Sequence, residues 1–426
     1  MSGLAKYLLA QGYAVSGSDL AANEETEALK RAGADIYTGS DETHVRFADC
    51  IVYTDAISSD DRELSAAKRQ KIPCLSRMEL LGKITSDFDR VIAVAGSHGK
   101  TSTTAMCAHV LYEAKKVFTA HIGGRDAVFD NFYAGGKEIF LTEACEYKKN
   151  LLRFPYVTTA VLLNCDKDHL ECYRNFEDLK ETFAKFLSSG ERALANFDDE
   201  SFVRPVRCAG FAVKNEKAAY RAVDIRQEGE RYRFTVTEEG KKAAEISLAV
   251  CGGFHIYNAL ACYAAMRQNG VEREDIARGL GNFRGVLRRF ETVGKFCGAT
   301  LVCDYAHHPT EIAKTVAAAQ KAARGRVTVV FQPHTYSRTK LLMEEFVSVF
   351  SRIDAPIFYP TFAAREAYDE AGSAEELHKR VKKSLYAGSK EELKQLLCVP
   401  HEKGEIILFL GAGDIYYIGK EMAEEG

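Results

Sequence analysis

The sequence predicts an α/β protein built as three domains in series. Strand-length apolar runs alternate with helix-length amphipathic segments along the chain, the pattern of parallel sheets with crossover helices. A chain of 426 residues is also too long for a single core. The third observation is local. Residues 91–104 read VIAVAGSHGKTSTT, an apolar strand, a glycine turn and a helix start in that order. That is how an α/β sheet presents a phosphate site.

The first domain is expected over residues 1–86. Residues 2–10 read as a helix with Leu4, Tyr7 and Leu8 on one face, closed by Gly12. The first strand is expected only at 13–16, followed by a helix at 24–32 and strands at 34–37 and 50–53. A nucleotide-binding α/β unit ordinarily opens with a strand and a glycine turn, so that its first helix N-terminus faces phosphate. That strand is missing here, and the expectation is a start further upstream, with 1–86 short of its first strand.

A polar hinge around 85–90 leads into the central domain, 87–286. After the glycine turn, strands are expected at 138–142, 157–163 and 192–195. A more β-like insert follows, with strands at 232–237 and 244–250 joined by Glu238-Glu239-Gly240, then a helix at 256–267. The third domain, 287–426, is expected to hold strands at 300–303, 327–331, 356–359 and 406–410. Its helices are expected at 310–323, 339–350, 374–385 and 418–424.

Composition narrows the function classes. Hydrophobic residues at 46% and charged residues at 27% are those of a globular chain. A net charge of −3 gives no reason to expect nucleic acid or an anionic membrane as partner. No apolar run approaches the ~20 residues of a membrane span, and the first residues turn polar too soon for a signal peptide. The twelve cysteines are scattered singly with no C-x-x-C, which predicts reduced, mostly buried thiols in a cytoplasmic protein.

The glycine turn is a shortened phosphate loop, Gly96-Ser97-His98-Gly99-Lys100-Thr101-Ser102. Its glycines let backbone N–H groups close on a polyphosphate, Lys100 supplies a point charge, and the Thr101 hydroxyl can ligate Mg²⁺. Val94 stands where the longer pattern has its first glycine. The strand at 138–142 runs into Glu143, a candidate Mg²⁺ ligand or simply an acidic loop start. The strand at 157–163 is followed by Asn164-Cys165-Asp166-Lys167-Asp168-His169, where His169 is a candidate for a metal or phosphate contact.

In the third domain Asp304 ends a strand and could accept ribose hydroxyls, with His307 and His308 on the loop after it. Thr310 is a candidate cap for the next helix. The strand at 327–331 leads to His334 and Arg338, and a guanidinium there suits a carboxylate. Arg288-Arg289-Phe290-Glu291 is either a solvated linker or a basic contact to a phosphoryl group.

Together these segments resemble the Mur ligase family, the ATP-dependent amide-forming enzymes of peptidoglycan precursor synthesis. The similarity runs through MSGLA, SGSD, GSHGKTSTT, EACE, NCDKDH, NALA at 258–261, GVLRRFE, DYAHHPTEI, FQPHTYSRT and GAGDI. It implies a three-domain architecture, with Rossmann-like N- and C-terminal domains around a central P-loop ATPase domain. The implied cofactors are ATP and Mg²⁺, and the implied substrates UDP-N-acetylmuramate and L-alanine. Ser18 and Asp19 would then contact the sugar nucleotide. Thr101, Glu143 and His169 would hold metal, with Lys100, Glu143 and His169 as the catalytic set. Asn258, Arg288 and Asp304 would contact the nucleotide, although Asn258 reads equally as a packed helix residue. His307, His334 and Arg338 would line the amino-acid site.

RRFE together with HHPTEI and FQPH favours alanine addition over attachment of a whole peptide to the same sugar nucleotide, and Lys100, Thr101, Glu143 and His169 argue against a regulatory nucleotide-binding homologue. A cytoplasmic monomer or weak homodimer is implied. The chain departs from the family pattern at Gly39-Ser40, Glu143-Ala144-Cys145-Glu146-Tyr147, Gly252-Gly253-Phe254-His255 and Thr335. Thr335 replaces a frequent arginine and bears on strictness for alanine.

Overall fold

The computed structural model of the chain describes residues 1–54, 57–58, 60–167, 172–202, 204–228, 231–364 and 366–425. Contacts divide the chain into two compact units, one of Met1–Val223, Thr235–Ala244 and Tyr257–Leu280, the other of Asp224–Phe234, Glu245–Ile256 and Gly281–Gly426.

The first unit begins with α1 (Ser2–Ala10), β1 (Ser16–Asp19), α2 (Glu24–Arg31), β2 (Asp35–Thr38), β3 (Ile51–Tyr53), α3 (Arg62–Arg69), β4 (Cys74–Ser76) and α4 (Arg77–Thr85). Local chemistry sets several of these bounds. Asn23 and Thr26 form a capping box on α2, with acids in its first turn and Lys30 and Arg31 in its last. Ser76 and Glu79 do the same for α4. β1 pairs with β2 and β3 with β4, each pair parallel and each a separate two-stranded sheet. The strand expected at 13–16 starts instead at Ser16, because Gly12 and Tyr13 still donate to the Leu9 and Leu8 carbonyls at the end of α1.

The same unit continues with β5 (Arg90–Ala95), α5 (Lys100–Glu113), β6 (Phe118–Asp126), β7 (Asp130–Ala134), β8 (Ile139–Glu143) and β9 (Val157–Leu162). Next come α6 (Phe176–Ser189), β10 (Gly190–Asn196) and β11 (Cys208–Ala212). A sheet runs β11-β10-β9-β5-β8-β6-β7, parallel except for β7. The strands that come next, β12 (Tyr220–Glu228), β13 (Arg231–Glu238) and β14 (Lys241–Leu248), are each divided between the two units. Helices α7 (Phe254–Gln268) and α8 (Arg273–Asn282) follow.

β5 lies between β8 and β9, so three parallel strands deliver their C-terminal ends to one edge. β5 and β9 are almost wholly buried, which is why they read as unbroken apolar runs. One core joins Leu4 and Tyr7 of α1 and Leu81 and Ile84 of α4 to Val91, Phe140 and Leu162 of the sheet and Phe183 of α6. Lys6 Nζ fastens α1 to β7 through Asp130 Oδ2 at 2.6 Å and Asn131 Oδ1 at 3.1 Å.

The second unit carries β15 (Glu291–Phe296), β16 (Ala299–Asp304), α9 (Pro309–Ala322), β17 (Val327–Phe331), α10 (Tyr336–Leu341), α11 (Met343–Phe350) and β18 (Ile357–Phe358). It ends with α12 (Ala374–Arg380), β19 (Leu385–Tyr386), α13 (Lys390–Leu397), β20 (Ile406–Leu410) and α14 (Ile415–Glu425). The sheet order is β15-β16-β20-β17-β18-β19, antiparallel only between β15 and β16. Ile312, Phe346 and Leu377 of α9, α11 and α12 pack on one face. Leu393, Tyr416 and Met422 of α13 and α14 pack on the other. This is a doubly wound sheet.

Three expectations for this unit are corrected. The helix expected at 339–350 is two, α10 and α11, broken at Leu342, whose backbone (φ −107°, ψ 22°) turns as its side chain enters the core. The helix expected at 374–385 stops at Arg380. Val381 is extended and buried, and Leu385 is taken up by pairing with Ile357. Thr310 does not cap α9; His308 does, with Pro309 in the first turn. Of the twelve cysteines only Cys107, Cys165, Cys262 and Cys303 are buried, fewer than the mostly buried set expected. No helix among the described residues is long and apolar enough to cross a membrane.

Gly82 tests how tightly α4 is docked within the first unit. Alanine would ordinarily favour a helix interior, yet a Cβ here would stand 2.7 Å from the Arg153 carbonyl oxygen. The Gly82→Ala chain is therefore expected to lose about 1–3 kcal/mol of stability in urea unfolding. Equal or greater stability would show that α4 does not press on that turn.

Candidate active site

The phosphate loop follows β5 and ends at the N-terminus of α5. Gly96 and Gly99 take φ of 139° and 86°, a backbone region that favours glycine. A Cβ on Gly99 would come 2.6 Å from Asn258 Oδ1, so the amide of Asn258 on α7 rests directly against the loop. Thr101 and Ser102, in the first turn of α5, are buried.

The segment after β9 holds this loop rigidly. Ser97 N donates to Asn164 O at 3.2 Å, and His98 N to Asn164 Oδ1 at 2.9 Å. Asn164 Nδ2 returns a bond to His98 O at 2.9 Å, while Asp166 N donates to Ser97 Oγ at 2.9 Å. His98 Nε2 lies 3.1 Å from Asp166 Oδ2. Asp168 and His169 lie outside the described residues.

Lys100 folds back across the loop. Its Nζ donates to Gly96 O at 2.5 Å, Ser97 O at 3.2 Å and both oxygens of Glu146 at 3.0 and 2.9 Å. The Glu146 side chain is wholly buried, and its carbonyl accepts from Tyr173 Oη at 2.5 Å. Burial by itself would lower the Lys100 pKa; the Glu146 carboxylate outweighs it and holds the pKa above the ordinary value. Burial beside Glu146 also pushes the Cys145 thiol up to about 12.

Sequence reasoning stopped at Glu143 and missed Glu146, although both stand in the acidic stretch after β8. Glu143 ends β8, where one oxygen accepts from Gly123 N at 2.6 Å. Ser18 and Asp19 lie exposed at the C-terminal end of β1, in a different sheet from the loop.

In the second unit, Asp304 at the end of β16 turns inward. Its oxygens accept from Phe290 N at 2.7 Å and Ala306 N at 2.8 Å, and burial raises its pKa to about 6. It thereby fixes a turn in which Arg288 and Phe290 take left-handed φ of 64° and 51°. Arg288 is no solvated linker. Its Nη2 donates to Gly413 O at 2.6 Å and Ala412 O at 3.1 Å, and the rings of Tyr305, Tyr416 and Tyr417 surround the guanidinium.

His307, His334 and Arg338 come together past the ends of β16 and β17. The two imidazole centroids are 5.8 Å apart, and Arg338 Nη1 lies 3.3 Å from His334 Nδ1. A guanidinium only donates, so Nδ1 is the acceptor and His334 is neutral. Burial, then the cationic neighbourhood of His307 and Arg338, lowers the His334 pKa to about 4. Thr335, between them, has φ 66° and ψ 140°, an outlier for a β-branched residue. Its N–H bonds Phe362 O at 2.9 Å, and Phe362 stacks on His334.

Comparison with known proteins covers the whole chain. Residues 1–89 match the Mur ligase family, catalytic domain, residues 94–266 the Mur ligase middle domain, and residues 288–413 the Mur ligase, glutamate ligase domain. The chain is 38% identical to a UDP-N-acetylmuramate–L-alanine ligase of Acetivibrio thermocellus, over 99% of this chain and 92% of that one. It is 37% identical to the protein of the same name from Lachnospira eligens, over 99% and 95%. Among solved structures, the UDP-N-acetylmuramate–alanine ligase of Thermotoga maritima superposes with a TM-score of 0.85 at 25% identity, covering 100% of this chain and 96% of that one.

The neutral imidazole makes a pH prediction. Folded, His334 takes a proton only near pH 4; unfolded, it does so near 6.5. Its contribution to stability is therefore present above about pH 6.5 and lost as pH falls through 4. Asp304, raised to about 6, acts with the opposite sign in the same window, but it is common to parent and variant. His334→Asn is expected to lose less stability than the parent between pH 6.5 and 4, measured by thermal midpoint. Parallel curves would contradict a half-buried, neutral His334.

Proposed function

The chain belongs to the Mur ligase family, and we propose that it is an ATP-dependent ligase joining L-alanine to the carboxylate of UDP-N-acetylmuramate in peptidoglycan precursor synthesis. The observation that carries the reading is Lys100 held charged at a rigid phosphate loop by buried Glu146. The cluster of His307, His334 and Arg338 supports an amino-acid carboxylate as a second ligand.

The reaction divides into two displacements. A carboxylate oxygen of the sugar nucleotide attacks the γ-phosphorus of ATP, the bond to the bridging oxygen breaks, and ADP leaves. The alanine amine then attacks the acyl carbon, and the tetrahedral intermediate collapses with loss of inorganic phosphate. Lys100 stabilises charge on the transferred phosphoryl group, as a fixed electrostatic donor does. Glu146 keeps that ammonium charged, and the bonds from Asn164 and Asp166 keep the loop from yielding.

The hard oxygen donors of Thr101 and Glu143 suit Mg²⁺, and we assign them, with His169, to hold it. Bound there, the ion would neutralise phosphate charge. Arg338 would clamp the alanine carboxylate, with His334 orienting the guanidinium. Residues 1–86, with Ser18 and Asp19, are assigned the sugar nucleotide. Residues 87–286, with Asn258, are assigned ATP. Residues 287–426 are assigned the amino acid and part of ATP, where Arg288 would contact nucleotide. Asp304 holds the Arg288 turn, so its effect on nucleotide would be through that turn. The scattering of the twelve cysteines, with no C-x-x-C, supports a cytoplasmic location.

The first test is release of inorganic phosphate, expected to require ATP, UDP-N-acetylmuramate and L-alanine together. Lys100→Ala should lower that rate by ~10²–10³ or more. It also takes the Lys100 counter-ion from the buried Glu146 carboxylate, so Lys100→Ala/Glu146→Gln is measured beside it. Near-normal turnover in either would remove the loop from the mechanism. A peptide that outcompetes alanine for ligation would favour the peptide-attaching activity.

Arg338→Lys keeps the charge but loses the planar fork. The apparent KM for alanine should rise far more than that for ATP. An unchanged alanine dependence would move the amino-acid site elsewhere.

A further inference from the structure

Cys297 and Cys398 are 101 residues apart in sequence, and their Sγ atoms are 3.2 Å apart. That is inside the separation of two non-bonded sulfurs and about 1 Å longer than a disulfide bond. We propose that the pair is a redox-active dithiol, a modification site at which a small-molecule disulfide such as oxidised glutathione closes a covalent link between the β15–β16 turn and the end of α13.

The backbone on both sides presents the sulfurs to each other. Cys297 and Gly298 form the two-residue turn between β15 and β16, both with positive φ, 45° and 93°. Such a turn is a tight hairpin connection that fixes the direction of its side chains. Cys398 caps α13, its N–H donating to Lys394 O at 2.8 Å. The two segments are tied independently of the thiols. His401 N donates to Cys297 O at 3.3 Å, and a Cβ on Gly298 would come 3.0 Å from His401 O. Beneath them Phe296 and Leu397 belong to one buried core.

Access separates this pair from the other pair of adjacent thiols. Cys398 is exposed and Cys297 partly so, whereas the neighbouring thiols Cys107 and Cys262 are both buried. The exposed Cys398 thiolate attacks one sulfur of the small disulfide, releasing one small thiol and leaving a mixed disulfide. The Cys297 thiolate then attacks Cys398 Sγ and expels the second small thiol. The two protein thiols lose two electrons and two protons, and the small disulfide gains them. The closed loop encloses His307, His334 and Arg338, so the link constrains the chain that carries them.

The test uses the full chain, treated with oxidised glutathione or with dithiothreitol, alkylated and digested without reduction. The expected result is one cross-linked peptide joining Cys297 to Cys398, and a thermal midpoint several degrees higher that dithiothreitol reverses. Cys297→Ser or Cys398→Ser should each carry a glutathione adduct on the remaining partner, with no link and with ligation under reducing conditions unchanged. Exposed Cys50 reports that the reagent works. An adduct at Cys50 without the Cys297–Cys398 link, or separate stable adducts on both cysteines of the parent, would overturn the proposal.

Discussion

A lysine ammonium is tolerated in a protein interior only where something beside it carries the opposite charge. Lys100 meets that condition through Glu146, and much of the first unit is arranged around the pair. Glu146 can be buried because β8 ends beside β5 and because Tyr173 anchors its carbonyl. The ammonium can reach it because Gly96 and Gly99 bend the chain as other residues rarely do. The loop keeps that bend because Asn164 and Asp166, arriving from the next strand over, bond its backbone and Ser97. Three strand ends thus meet in one electrostatic problem and solve it jointly.

The second unit uses the same edge of a parallel sheet differently. Strain takes the place of a buried ion pair. Arg288, Phe290 and Thr335 hold left-handed backbone angles next to the charged and imidazole groups. Asp304, Glu291 and the Phe362 carbonyl accept the N–H groups that such turns strand. Gln332 ties the segment after β17 to the one after β20, donating to Asp414 Oδ1 at 2.7 Å and accepting from Ile415 N at 3.1 Å.

What was legible beforehand follows burial. β17 and β20 are buried over most or all of their length in a parallel sheet and read as plain apolar runs, so 327–331 and 406–410 were placed to the residue. β7 and β19 carry no such signal. β7 is half-buried at an edge of its sheet, and β19 has two residues. The break at Leu342 is invisible because both sides of it keep helical spacing and helix-forming residues. The glycine loop and Glu143 follow from strand-end logic, which looks for the residue in line with the strand. Glu146 escaped because it lies past that end, where only the fold shows it turned back into the core. His308 escaped as a cap because imidazoles rarely cap helices.

The anchoring of α1 has a consequence for synthesis. Leu4 and Tyr7 are buried in the core of the central sheet, and Lys6 binds an aspartate 124 residues further along. At ~5–20 residues per second of translation, that partner emerges roughly 6–25 seconds after the helix does. Until then α1 can meet the α4 and β5 side chains of the same core, but not the carboxylate that Lys6 binds. Apolar packing of α1 therefore precedes its electrostatic fastening, and the helix is gripped before it is fixed in place.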